Sequence, residues 1–79
     1  MRILDYRTDK ALEDICIYLT PSEAKQMLGL LEEFVSGQIE HHEHFYDENY
    51  EREITLAIYT EKNLKEFDER SKKLIIEGI

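Results

Sequence analysis

Hydrophobic and polar residues alternate in two segments of this chain, residues 12–20 and residues 51–60. A period of two residues is typical of a β-strand with one buried face. The apolar face of the first segment carries Ile15, Ile17 and Leu19, and that of the second carries Ile54, Leu56 and Ile58. Both segments are therefore predicted to be strands. Each ends at a threonine that can cap a following helix.

A helix is predicted directly after the first of these strands. Thr20 suits the N-cap, Pro21 suits the first helical position, and Glu23 completes a capping box. Apolar residues then recur at spacings of three and four, as expected for one stripe facing a core: Ala24, Met27, Leu28, Leu31, Phe34 and Val35. Gly37 supplies a left-handed stop. The predicted helix runs from about Pro21 to Ser36.

A second helix is predicted after Thr60, from about residue 61 or 63 to Glu77, with Gly78 beyond its end. Its inner stripe is Leu64, Phe67, Ser71, Leu74 and Ile75. The two halves of the chain thus repeat one order of elements, at an offset of about forty residues between Thr20 and Thr60, although their identity is too low for a sequence repeat.

One segment before each predicted strand has the composition of a hairpin's first arm. Residues 2–7 lead through a polar turn into the strand at Leu12, and residues 39–46 lead into the strand near Tyr50. The predicted fold is α+β, a single domain over residues 1–79 with the order ββαββα. We expect a two-layer sandwich in which two helices cover one face of a four-stranded antiparallel sheet, an order related to the ferredoxin-like arrangement by circular permutation. Residues 38–46 also fit an irregular loop or a helical extension.

The net charge of the chain limits the classes of molecule that it is expected to bind. Its 79 residues carry a formal net charge of −8, which repels phosphate backbones and anionic membranes and favours a basic protein partner. The single cysteine, Cys16, cannot form an internal disulfide, and the first residues lack the pattern of a signal peptide. No apolar run is long enough to span a bilayer. These features predict a cytoplasmic protein that binds neither nucleic acid nor a membrane.

The predicted sheet leaves one face uncovered, and its residues suit an interface. The strands would place there Cys16, Tyr18, Thr55, Ala57 and Tyr59. Tyrosine and small residues with a charged rim are typical of association surfaces, and so small a domain gains stability from further burial. We therefore expect a homodimer or a higher homo-oligomer, or a docked partner. The alternative is that tyrosine and threonine occur there because they favour strands.

All three histidines lie in the run H41-H42-E43-H44. On a strand, His42 and His44 share a face, and a tight turn would bring Glu53 of the next strand beside them. Two imidazoles and a carboxylate can hold a zinc or iron ion, with Glu40 as another candidate ligand. A pH-sensitive partner surface and a purely structural role are the alternatives.

Other chemical signatures are weak. Cys16 follows Asp14 on the same strand face, which disfavours a thiolate, and the sequence contains no nucleophile elbow, Gly-rich phosphate loop or metalloprotease helix. No catalytic residue is expected, and no cofactor beyond the divalent ion just described. The favoured hypothesis is a non-enzymatic, inhibitor- or immunity-like regulatory protein that self-associates and binds a macromolecular partner. The alternatives are a metal- or small-ligand-binding domain and a nucleic-acid mimic.

Overall fold

The structure, a computed structural model, describes all residues 1–79. Its elements in chain order are β1 (Ile3–Asp5), β2 (Lys10–Leu12), α1 (Pro21–Ser36), β3 (His42–Tyr46), β4 (Glu53–Ala57), a 3₁₀ turn (Leu64–Glu66) and α2 (Glu69–Glu77). The chain divides into two compact units, one formed by residues 1–17 with 60–79 and the other by residues 18–59. Neither helix combines the length and the apolar composition that a membrane crossing requires.

The predicted four-stranded sheet is wrong. The structure has two separate two-stranded antiparallel sheets, β1 with β2 and β3 with β4. Alternation along a sequence indicates that a segment suits a strand, but it does not choose the neighbour that satisfies the strand's backbone groups. No strand of one hairpin pairs with a strand of the other, so the shared sheet and its open face do not form.

The unit of residues 18–59 begins with α1, whose bounds agree with the prediction. The Thr20 hydroxyl accepts a hydrogen bond from the N–H of Glu23 at 3.1 Å, and the Glu23 carboxylate accepts one from the N–H of Thr20 at 2.9 Å. This completes the predicted capping box. Gly37 ends the helix with φ of 82°, a left-handed conformation that only glycine adopts without steric cost.

The hairpin of β3 and β4 has a core face and a polar face. Phe45 pairs with Ile54 and Glu43 with Leu56, so the aromatic and aliphatic side chains share one side. Phe45 is buried, as is Phe34 of α1. The predicted alternation of β4 is thereby confirmed over Glu53–Ala57, and the strand predicted with least support, at residues 39–46, is present as His42–Tyr46.

The other unit contains the hairpin of β1 and β2, which is shorter than predicted. Pairing runs only from Ile3 opposite Leu12 to Asp5 opposite Lys10. The strand expected over residues 12–20 is absent after Leu12, because the pairing with β1 ends there and nothing replaces it. The face of this segment that was predicted to be buried is not, since Ile15 and Ile17 are both exposed.

The second helix begins later than predicted. Asp68, not Thr60, is the N-cap of α2, and its carboxylate accepts a hydrogen bond from the N–H of Ser71 at 2.7 Å. The preceding Phe67 has an extended backbone, which separates α2 from the short 3₁₀ turn. Leu74 is the buried residue of α2, as its stripe predicted, and Gly78 ends the helix.

Candidate functional site

The polar face of the β3–β4 hairpin carries most of the residues that the sequence proposed as ligands. Cross-strand pairing places His42 opposite Ala57, His44 opposite Thr55, and Tyr46 opposite Glu53. Paired residues on antiparallel strands point to the same side of the sheet. The predicted common face of His42 and His44, with Glu53 on the neighbouring strand, is therefore present.

Glu53 is the centre of this face. Its Oε1 lies 2.8 Å from Nδ1 of His44 and 3.4 Å from the hydroxyl of Thr55, which donates to it. The same carboxylate raises the pKa of the Tyr46 phenol, chiefly because its negative charge disfavours a second anion nearby. The His44 and Glu53 side chains are both about two-fifths exposed, at 41%. Water therefore weakens the pair compared with a buried one.

The histidine rings form a short contact series. His42 lies edge-on to His44 with ring centroids 5.2 Å apart, and Nδ1 of His41 is 2.7 Å from Nδ1 of His42. His44 pairs with Glu53. No group of three or more His, Cys, Asp or Glu side chains in the chain has a metal-binding arrangement. Two of the three predicted ligands, His44 and Glu53, are thus in direct contact, while His42 contacts the other imidazoles.

A second polar centre joins α1 to the turn between β3 and β4. The buried Glu23, only 7% exposed, accepts a hydrogen bond from the N–H of Glu48 through Oε2 at 3.0 Å, in addition to its bond within the capping box. The Thr20 hydroxyl donates to Glu48 Oε1 at 3.1 Å. Backbone N–H groups of Thr20 and then Glu48 hold the pKa of Glu23 below its ordinary value.

Asp47 organises that turn. Its Oδ1 accepts hydrogen bonds from the N–H groups of Glu51 at 2.8 Å and Arg52 at 3.2 Å. The N–H of Arg52 is the main cause of a lowered pKa at Asp47. These bonds support Tyr50 with φ of 56°, a left-handed conformation that is uncommon outside glycine. An open groove of about 410 Å³ lies beside the turn, between α1 and β3.

The structure does not gather the predicted partner-binding residues on one sheet face. Thr55 and Ala57 share a face of β4, with Tyr59 just beyond the strand. Tyr18 is 90% exposed in an irregular segment, and the exposed Cys16 belongs to the other compact unit. Residues 16 and 18 belong to no strand, so the sheet that was predicted to unite them with β4 is absent. A role of these residues in partner binding stays a prediction.

A surface that the sequence analysis missed lies on α1. The predicted single apolar stripe is two adjacent ones: Met27, Leu30 and Phe34 are partly or fully buried, whereas an outer row is exposed. We call this outer row the α1 stripe, formed by Ala24, Leu28, Leu31 and Val35. Val35 is 89% exposed and Leu28 is 57% exposed. The sequence does contain a signal for this surface, because the apolar residues of α1 spread over a wider arc of the helix than a single contact can cover.

Comparisons with known proteins give this chain no relative. No protein-family model matches it, and no curated protein or solved structure is significantly similar to it.

Proposed function

We propose that this protein acts by binding other proteins rather than by catalysis: a small acidic interaction protein of regulatory type that self-associates and has a basic macromolecular partner. The observation that carries the proposal is the α1 stripe. Large apolar side chains in a continuous exposed row are costly to leave in water and are typical of an association surface. We assign a second copy of this chain as the occupant of the stripe.

The distribution of apolar residues supports self-association. Only three hydrophobic residues are buried, namely Phe34, Phe45 and Leu74, and none of the large side chains is fully buried. The core is therefore thin even for a chain of this length. Burial of the α1 stripe against a second copy would add apolar contacts that the chain alone does not make.

The expected dimer is weak. The 16 residues of α1 span about 24 Å, so contact along one helix falls near or below the lower end of specific interfaces. A concentration-dependent equilibrium follows, in which monomer and dimer coexist.

Net charge supports the second half of the proposal, a basic partner. The eighteen acidic residues outnumber the ten basic ones, and such an imbalance accelerates encounter with a positively charged surface. Binding should therefore be faster at low ionic strength, with an association rate that falls as salt screens the charges. A lysine-rich peptide should bind more tightly than an equally long glutamate-rich peptide, and equal binding would contradict this half.

Sedimentation velocity tests self-association directly. The wild-type mass should rise from monomer toward dimer between about 10 and 500 µM, the range expected for a weak interface. Leu28→Glu with Leu31→Glu should remain monomeric, because two carboxylates would have to be desolvated in the contact. Ser22→Glu with Gln26→Glu adds the same charges to exposed positions of α1 outside the stripe. This control should dimerise like the wild type, and a monomeric wild type at all concentrations would refute self-association.

The alternative function, binding of a metal or small ligand at His42, His44 and Glu53, is favoured by one contact, the 2.8 Å approach of His44 to Glu53. Its test is elemental analysis of untagged protein, with His42→Ala as the matched variant. Stoichiometric metal that His42→Ala loses would support it. Less than about a tenth of an equivalent, with no zinc-dependent change in melting temperature, would remove it.

A further inference from the structure

We infer that two copies associate through antiparallel α1 helices, with Lys25 of each copy paired to Glu32 of the other. This inference rests on the proposed function, since it specifies how the α1 stripe is covered. The exposed apolar row alone does not define the orientation of the two helices, their register or the charged residues that pair.

The spacing of the α1 stripe fits a helix pair. Its members are separated by four, three and four residues, which is the alternation of the a and d positions of a heptad. Leu28 and Val35 take the a positions, and Ala24 and Leu31 take the d positions. The neighbouring g positions, Met27 and Phe34, are partly or fully buried within the chain. Only the e side of the seam is left for charges from the partner.

Antiparallel order fits the sizes of these residues. In an antiparallel pair a position of one helix meets a d position of the other. Leu28 then faces Leu31 of the second copy, and the small Ala24 faces Val35, each contact occurring twice about the two-fold axis. The axis crosses the seam between Leu28 and Leu31, at the level of the middle of α1. All four members of the α1 stripe are exposed, so no part of the chain itself blocks this side of the helix.

Two charged residues occupy the e positions, Lys25 and Glu32. Both are exposed, and neither makes an ion pair within the chain. In the antiparallel register the e position of one helix lies beside the e position of the other, seven residues away in the sequence. Each Lys25 therefore meets a Glu32, twice per dimer. In a parallel pair, e positions instead lie beside g positions, where Met27 and Phe34 offer no charge.

Charge reversal provides the test, read as dimer dissociation constants from sedimentation equilibrium at low salt. Lys25→Glu and Glu32→Lys should each weaken the dimer by about five- to tenfold, since each creates two like-charge contacts. The double variant should return to within about twofold of wild type. If total charge alone mattered, Glu32→Lys would strengthen the dimer, because it makes the protein less acidic.

Mixing the two single variants gives a second readout. A copy with glutamate at both positions should pair preferentially with a copy with lysine at both, so the mixture should form more dimer than either variant alone. Circular dichroism of each variant verifies an unchanged helix content. A wild type that dimerises through Leu28 and Leu31, yet responds to neither charge reversal nor mixing, would overturn the antiparallel register and leave self-association standing. A wild type that stays monomeric would overturn both.

Discussion

The Oε2 atom of Glu23 accepts a hydrogen bond from the backbone N–H of Glu48 at 3.0 Å, across 25 residues of sequence. The other oxygen of the same carboxylate completes the capping box with Thr20. One buried side chain thus satisfies an N–H of the helix start and an N–H of the turn between β3 and β4. The position of the hairpin relative to α1 depends on this carboxylate as well as on apolar contacts.

Loss of the Thr20 hydroxyl should destabilise the protein. Thr20→Ala removes the acceptor for the Glu23 N–H and the donor to Glu48, and a threonine N-cap is worth about 1 kcal/mol. Thr60→Ala is the comparison variant, because the Thr60 hydroxyl accepts a hydrogen bond from the N–H of Lys62 at 3.2 Å and caps no helix. Although the sequence pattern suggests Thr60 as a cap, Asp68 caps α2, so a smaller loss is expected. Urea unfolding at low protein concentration measures both, and equal losses would contradict the assigned caps.

Acid should weaken the structure around Glu23 and Asp47. Both carboxyl groups have pKa values in the folded chain below their ordinary values of 4.5 and 3.8. A lowered folded pKa contributes stability that is present above the ordinary value and lost as pH falls through it toward the folded value. The free energy of unfolding should therefore drop as the pH is lowered below about 4.5.

Glu23→Gln should reduce that acid sensitivity, because its side chain no longer gains a proton on unfolding. Unfolding curves at pH 7 and pH 3 give the difference for each protein. Glu33→Gln, at an exposed position of the same helix, corrects for the loss of one charge. An acid-induced drop in Glu23→Gln as large as in the wild type would show that Glu23 does not contribute.

Truncation of two neighbouring residues of α1 should change stability by very different amounts. Phe34 is 7% exposed and Val35 is 89% exposed. Phe34→Ala should cost about 3–5 kcal/mol, enough to unfold a domain of marginal stability. Val35→Ala should change monomer stability by less than about 0.5 kcal/mol. Thermal unfolding below the dimerisation range distinguishes them, and similar melting temperatures would contradict the inward direction of Phe34.

Replacement of Arg70 by lysine should lower the stability of the protein. Its guanidinium donates to Asp9 Oδ1 at 2.9 Å, to the Asp9 carbonyl at 3.0 Å and to the Ile79 carbonyl at 2.9 Å. A lysine ammonium cannot reproduce three bonds in this fork geometry. Arg70→Lys should cost about 1 kcal/mol, whereas Lys73→Arg, at an exposed position of α2, should be nearly neutral. Equal melting temperatures for the two variants would contradict the role of the fork.

The sequence predicted the two ends of α1 because the signals for them are local. Thr20, Pro21 and Glu23 define its start within four residues, and Gly37 defines its end. The closeness of Glu53 to His44 was predicted, because two antiparallel strands joined by a short connection lie side by side. The exact register, in which Thr55 is opposite His44, was not.

Features that depend on distant partners were not predicted. The segment after Leu12 has the composition of a strand, yet no neighbour supplies its hydrogen bonds. The start of α2 lies at Glu69 because the extended backbone of Phe67 interrupts the helix and Asp68 then caps it. The α1 stripe was taken as core because periodicity identifies apolar faces without saying which of two adjacent rows the chain itself covers.

The irregular stretch of residues 13–20 determines where the chain is vulnerable to cleavage. Its residues are exposed and belong to no helix or strand, and Tyr18 is 90% exposed. Such a backbone can enter the extended cleft of an endopeptidase without prior global unfolding. Limited digestion should therefore begin here, for example after Tyr18 with an aromatic-specific enzyme. The lifetime of the protein among peptidases would then follow access to this stretch rather than the stability of either hairpin.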